Sequence, residues 1–461
     1  MEGAIRSSML AQLAEGWGCE KTVELYLDIC QVDTPHTLVK ATWDHVTQLR
    51  EDIGLVVDFG AGDGRFAHHG CYDQYVGFEV DHTRILDARN LPANAELIDE
   101  CAFSAERVEA DLCIGNPPFV RNQHLPDGWR RSASRVIEER TGVRLSGLAN
   151  AWQYFFFLAL TSTKADGLCA LVVPYEWVSR PSARLLRDYI CANGWGVDVY
   201  RLIDSTFDSV LTTASITIID KARKDEVWRY YEETAQGRYT PLTSPTGSDG
   251  GVMAYRRRSD IGRGEPRAMR GLSPGTQKLL TLTEGERVHA GLKIGRDVVA
   301  CVTTLRHLPA GVARLDETVF RQHYRDPGHK CWLICTDTEP HILLQQYLDD
   351  TPSADRQTAT CQERPIWWRF AMPPTPDMLI SQSFRGRFPK AVDNQLGAKA
   401  VGGVCGLFNI NADQKSVLAE AACVTDLSAR VVAHSKGLRK IEVNQLNTFL
   451  QDLFVDERAF L

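Results

Sequence analysis

Four short apolar runs, each cut off by a turn-forming residue, organise the first half of the chain. Leu55-Val56-Val57-Asp58-Phe59 runs straight into glycines. Tyr75 to Val80 is a second run, and Asp111-Leu112-Cys113-Ile114 is a third, stopped by Gly115 and two prolines. Leu168 to Val173 is a fourth, stopped by Pro174. Continuous rather than alternating apolar runs, with helical stretches between them, predict strands buried on both faces and hence a mostly parallel α/β sheet. Val197 to Ile203 and Ala214 to Ile219 lie close in sequence and predict a hairpin at the sheet edge. The densest apolar stretch, Ala151 to Leu160, is broken by Gln153. It reaches about half of the roughly 20 residues that a membrane span needs.

The pattern then changes. Gln236 to Gly251 is rich in Thr, Ser, Pro and Gly and reads as a linker. From about Gly271 the strand signals are shorter and less regular, with aromatic pairs such as Trp367-Trp368, and the final stretch of the chain again reads as helical. The expected division is a first domain over 1–240, a basic linker over 241–275 and a mixed α+β domain over 276–461.

A length of 461 residues agrees with two or three domains. With 44% hydrophobic and 24% charged residues the chain is of ordinary globular composition, not a disordered one. The first residues carry Glu2, Arg6 and Glu15 and lack the apolar core of a signal peptide, so a cytoplasmic protein without membrane association is expected. The 13 cysteines are scattered, and only Cys331 and Cys335 are close, with no second pair at zinc-site spacing. Reduced thiols and no metal are therefore expected. A net charge of −7 argues against indiscriminate coating of nucleic acid. Yet residues 251–310 hold 11 Lys and Arg against 5 Asp and Glu, a local +6 that leaves −13 for the rest. Such asymmetry suits one face turned to a polyanion, although a solvated Arg-rich linker would look the same.

Two motifs carry chemistry. In Asp58-Phe59-Gly60-Ala61-Gly62-Asp63-Gly64, glycines directly after a buried strand let the backbone turn sharply and approach a ligand. Glu79, at the end of the next strand, stands where an acid accepts both hydroxyls of a ribose. The dinucleotide fingerprint would need glycine at position 65, where Arg65 stands, so a nicotinamide cofactor is disfavoured and the nucleoside of S-adenosylmethionine fits. The second motif, Asn116-Pro117-Pro118-Phe119, follows a strand. Two prolines stiffen the turn and remove two N–H donors. The Asn116 side-chain oxygen and the Pro117 carbonyl are left as acceptors for the hydrogens of an amino group. Holding those hydrogens keeps the nitrogen lone pair out of the ring and makes it nucleophilic. Phe119 offers a face on which a planar base can stack.

Together these residues resemble the class I S-adenosylmethionine-dependent methyltransferases of the amino type. The closer resemblance is to the gamma-class, TaqI-like N6-adenine DNA methyltransferases of restriction–modification systems. Gln31-Val32-Asp33-Thr34-Pro35 is similar to the cofactor motif that this class places ahead of its glycine turn. The resemblance implies a Rossmann-like catalytic sheet followed by a target-recognition domain. It implies cofactor contacts from Thr34, Pro35, Asp58, Gly60, Gly62, Glu79 and Asp99, and a catalytic set of Asn116, Pro117 and Phe119. Phe207 resembles the aromatic residue that packs with Phe119 on a flipped base. Trp152 to Leu160 and Gly167 to Trp177 resemble the family's next helix–strand unit, so that roughly residues 30–220 are covered well. The second half is similar only in pieces: Arg364 to Trp367 with Pro373-Pro374, Ala398 to Phe408, and Gly437 to Glu442. Two departures stand out: Phe119 replaces the commoner Tyr, and Asp33 stands where Glu is often found.

The expected function is transfer of a methyl group from S-adenosylmethionine to the N6 of a flipped adenine in duplex DNA. Arg256, Arg257, Arg258 and Arg263 are expected to meet phosphates, and a separate cognate restriction endonuclease is the expected partner. A base within a duplex cannot reach such a site, and the few kcal/mol of unstacking are offset by aromatic stacking worth about 1–3 kcal/mol per base. The alternative is an amino-group methyltransferase acting on RNA or on a protein glutamine. A combined restriction and modification enzyme would need a nuclease-sized domain, for which the first 30 residues are too short. A non-catalytic binding protein would have no use for the intact Asn116 to Phe119 turn.

Overall fold

The computed structural model describes residues 33–88, 90–203, 213–246, 252–435 and 437–454. These fall into two compact units that divide at residues 249 and 250, with the short segment 434–436 grouped with the first.

The first unit is built on one large mixed sheet. A helix, α1 (His36–Leu49), precedes β1 (Leu55–Phe59), β2 (Gln74–Glu79), helix α2 (His82–Asp87), β3 (Ala95–Asp99) and β4 (Ala110–Gly115). Helices α3 (Asp127–Thr141) and α4 (Ala151–Ser162) lead into β5 (Thr163–Pro174), and α5 (Arg184–Ala192) leads into β6 (Gly196–Arg201). Strands β7 (Ala214–Asp220), β8 (Trp228–Glu233) and β9 (Tyr239–Leu242) complete it. The order across the sheet is β3-β2-β1-β4-β5-β7-β6-β8-β9. Strands β1 to β5 pair in parallel, as the continuous apolar runs require. The chain winds one way from β1 through β2 to β3 and resumes on the other side of β1 with β4. The carboxyl ends of β1 and β4 therefore flank the reversal point, where such sheets bind ligands.

Strands β6 and β7 do pair antiparallel, but not as an edge hairpin. β7 inserts between β5 and β6, and β8 and β9 extend the sheet beyond them. Ile216, Ile218 and Ile219 of β7 are fully buried, which suits an interior strand and not an edge. The apolar stretch read from the sequence is α4, buried nearly all round, as a helix lacking a polar face must be. No helix among the described residues is long and apolar enough to cross a membrane.

The second unit is α+β. The strands Arg267–Arg270, Val404–Phe408, Met378–Ser381 and Ala391–Asp393 form one antiparallel sheet. A second small sheet is formed by Thr281–Leu282, Trp332–Ile334, Val298–Val302 and Lys399–Ala400. This corrects the expected basic linker over 241–275, because from residue 252 the stretch is part of a folded core. Met253 and Ala268 are buried, the Met253 N–H donates to the Arg430 carbonyl, and Arg267–Arg270 is an edge strand of the first of these sheets. The linker reading failed because a few buried residues, Met253, Pro266 and Ala268, are scattered among exposed arginines such as Arg257, Arg258 and Arg263, with no periodicity to announce them.

Candidate active site

The glycine turn is shaped by its backbone. The N–H groups of Gly60 and Ala61 both donate to the Phe78 carbonyl, at 2.8 and 3.0 Å, which fastens the end of β1 to β2. Gly60 and Gly62 have φ of 94° and 58°, in the left-handed region that glycine alone enters without strain. The Gly62 N–H donates to Glu79 Oε2 at 2.8 Å. Glu79 Oε1 accepts from the N–H groups of Val80 and Asp81, at 2.8 and 2.9 Å. The carboxylate is thus held in place by the main chain at the mouth of β2.

Beneath the turn lies Asp58. It is buried, accepts from the Tyr75 hydroxyl at 2.9 Å and leaves Oδ1 without a partner. Burial pushes its pKa up to about 8, against the Tyr75 hydrogen bond and with the help of the Glu79 charge, so this carboxyl is largely protonated at neutral pH. A Cβ at Gly115, whose φ is 152°, would fall 2.2 Å from Asp58 Oδ1. Only glycine can bring β4 this close to β1 here, and the residue that follows β4 is Asn116. Its Nδ2 donates to the hydroxyl of Thr34 at 3.0 Å, while Oδ1, shielded from solvent, has no hydrogen-bond partner.

These groups open on one cleft of about 920 Å³, counting its mouth, which is room for a nucleoside-sized ligand. Of the residues named from the sequence, Thr34, Gly60, Gly62, Glu79 and Asn116 line it. Others stand elsewhere. Asp58 supports the floor, Pro35 begins α1, and Pro117 is buried behind the turn while Pro118 lines the cleft. Phe119 packs partly against the sheet core and does not line this cleft. Asp99 is paired with His82 Nδ1 at 2.8 Å, and the neighbouring Glu100 lines the wall in its place. Phe207 lies outside the described residues. Arg257, Arg258 and Arg263 are exposed in the second unit, and the Arg256 N–H donates to the Asn444 carbonyl.

Sequence reasoning missed the apolar wall. Trp129 of α3 and Phe155 of α4 line the cleft and are both buried. Phe103 meets each edge-on, at centroid distances of 5.3 and 5.1 Å. The signal was present in the apolar stretch from Ala151, but nothing in its periodicity says which of its aromatics faces a ligand. Arg65 and Arg84 were missed too; both line the cleft and meet the carboxylate of Asp33.

Residues 77–202 match the family model described as Eco57I restriction-modification methylase. The match is confined to this segment, well under half of the chain. The matched segment runs from within β2 to just past the end of β6 and includes Glu79 and the Asn116 turn, on the mostly parallel Rossmann-like part of the sheet. The chain is also similar to the type II methyltransferase M.AccI of Acinetobacter calcoaceticus, with 24% identity over 147 residues. That match covers 31% of this chain and about a quarter, 27%, of the relative's length. Among solved structures, the methyltransferase subunit of a type I restriction-modification system from Streptococcus thermophilus is similar with 18% identity and a TM-score of 0.38, over 45% of this chain and 49% of that one. The type IIG restriction endonuclease BpuSI is similar over 92% of this chain and 60% of its own, with 12% identity and a TM-score of 0.39.

Proposed function

We propose that this protein is a DNA methyltransferase that transfers a methyl group from S-adenosylmethionine to the N6 amino group of adenine. The observation that carries the reading is Asn116 Oδ1, a shielded acceptor without a partner at the end of β4, in the same cleft as Glu79. A buried acceptor left unpaired costs about 1–3 kcal/mol, and an amino-group hydrogen would remove that cost.

The cleft fits the methyl donor. Glu79 offers its carboxylate to ribose hydroxyls, Phe78, Ala102, Trp129 and Phe155 give an apolar wall to an adenine ring, and the glycine turn leaves space along β1. A Cβ at Gly60 would come 3.7 Å from the Pro118 ring and 3.9 Å from Phe155, narrowing the passage between the turn and the wall. S-adenosylmethionine, when bound, supplies an electrophilic methyl group. The work of the chain is then to hold the acceptor nitrogen. Asn116 Oδ1 and the Pro117 carbonyl accept its two hydrogens and keep its lone pair localised. Both bonds strengthen as positive charge develops on nitrogen, so they favour the transition state over the bound base. No side chain has to act as base, since the extra proton can leave to water after transfer. In this reading the exposed Arg257, Arg258 and Arg263 meet DNA phosphates, Phe119 and Phe207 stack the flipped base, and a separate restriction endonuclease is the partner.

The test is transfer from methyl-labelled S-adenosylmethionine to duplex DNA, RNA and protein side by side, followed by nucleoside analysis. Label in N6-methyladenine of duplex DNA is the expected result. Label in cytosine, in RNA alone or in protein glutamine overturns it.

A further inference from the structure

Asp33 lies just ahead of α1, and its carboxylate meets two guanidinium groups. Arg65 Nη2 stands 2.7 Å away, and Arg84 of α2 binds the other carboxylate oxygen. Arg65 follows the glycine turn and is itself fixed on two further sides. Its Nε pairs with Asp63 at 2.8 Å and its Nη1 donates to the Thr34 carbonyl at 2.9 Å. Thr34 is buried, and its hydroxyl accepts from Asn116 Nδ2. A continuous path of contacts therefore runs from α2 and the glycine turn, through Asp33 and Thr34, to the side chain of Asn116.

The path matters because a carboxamide can turn either end to the cleft. With its nitrogen spent on Thr34, the Asn116 amide presents oxygen. A lone exposed ion pair would be too weak to fix anything. Here one carboxylate is shared by two guanidinium groups that are only 22% and 21% exposed. Partial burial pushes the Asp33 pKa up, but the charges and hydrogen bonds of Arg84 and Arg65 outweigh it and hold the carboxyl below its ordinary value.

We propose that Asp33 is a positioning residue: by holding Thr34, it fixes the Asn116 amide with its oxygen towards the cleft. The kinetic consequence rests on the methyltransferase reading; the structural one does not. With Asp33→Asn, the single-turnover methyl-transfer rate is expected to fall about 10-fold, with a smaller change in S-adenosylmethionine affinity. Asp33→Glu should recover most of the rate, since it keeps the charge. In an Asn116→Ala background, Asp33→Asn should cost nothing further, because contacting residues of one network are non-additive. An equal loss in both backgrounds overturns the proposal.

A second measurement reads the amide directly. In full-length protein labelled with 15N-asparagine, the side-chain resonance missing from Asn116→Ala identifies the group. Its hydrogen exchange should quicken in both Asp33→Asn and Thr34→Val. Unchanged exchange in Asp33→Asn overturns the proposal whatever the activity. Quickened exchange in a wild-type background that methylates nothing supports the contact path while the methyltransferase reading falls.

Discussion

The two units of this protein present their chemistry in opposite ways. In the first, the candidate functional groups are tied to positions where the backbone has little choice. Glu79 ends a buried strand and takes three main-chain hydrogen bonds, and Asn116 follows a glycine that a neighbouring carboxyl forbids to be anything else. In the second, the candidate groups are exposed arginines on a stretch whose inward-facing residues only fill a core. Where geometry is imposed by packing, a short motif can be read from sequence. Where charge alone acts, many arrangements serve equally, and no spacing announces them.

The sharpest way to break this contrast is to change Asn116. Asn116→Ala is expected to lower the single-turnover transfer rate by about 10²–10³-fold, as deletion of one preorganised polar group does elsewhere. Binding of S-adenosylmethionine, followed by calorimetry, should change far less. A folded variant that methylates at the wild-type rate would reduce the Asn-Pro-Pro-Phe turn to a structural loop.

Glu79→Ala comes next. A charged acceptor paired with hydroxyls contributes about 1.5–3 kcal/mol, so S-adenosylmethionine should bind roughly 10- to 100-fold more weakly. Glu79 also holds the turn, and Glu79→Gln, which keeps an acceptor for two of the N–H groups, separates the two roles. Equal affinities for wild type and both variants would remove Glu79 from the site.

In the second unit, reversing Arg256, Arg257 and Arg258 to Glu should weaken DNA binding for every sequence alike. The slope of log K against log salt should become shallower by roughly 0.9 for each phosphate that is no longer neutralised. An unchanged slope would show that the positive charge of this stretch serves only solvation.

The smallest effect concerns stability. His45 of α1 lies stacked on Tyr200 at 3.7 Å, with Tyr239 edge-on, and neither ring nitrogen has a partner. Burial lowers its pKa to about 4, although Asp44 and Asp198 pull it upwards. The folded state therefore resists a proton that the unfolded chain takes up near the ordinary value of 6.5. Stability is full above that pH and is lost as pH falls towards 4. His45→Phe should flatten this acid-side decline in urea-unfolding midpoints, and identical pH profiles would exclude His45 as its source.

Much of the first unit was legible because β1, β4 and β5 are largely buried and run into glycine or proline. The place of β7 was not legible, since nothing local distinguishes an inserted strand from an edge hairpin. That the glycine turn, Glu79 and Asn116 share one cleft was legible, because each stands at the end of a strand beside the reversal point of the sheet. Asp99 and Glu100 are adjacent acids at a strand end, and only tertiary structure separates them: Asp99 pairs with His82 and Glu100 lines the cleft. Trp129 and Phe155 were hidden among many core aromatics, which share their composition and differ only in direction.

The insertion of β7 also sets the order in which this sheet can be completed as the chain leaves the ribosome. Strands β1 to β5 can pair with strands already made. β6 cannot, for its neighbour on that side is β7, which is synthesised after it. At about 5–20 residues per second, β6 waits on the order of seconds as an unpaired segment beside the open edge of β5. An edge of that kind recruits strands from other chains. Slower synthesis between Arg201 and Ala214 would lengthen that exposure.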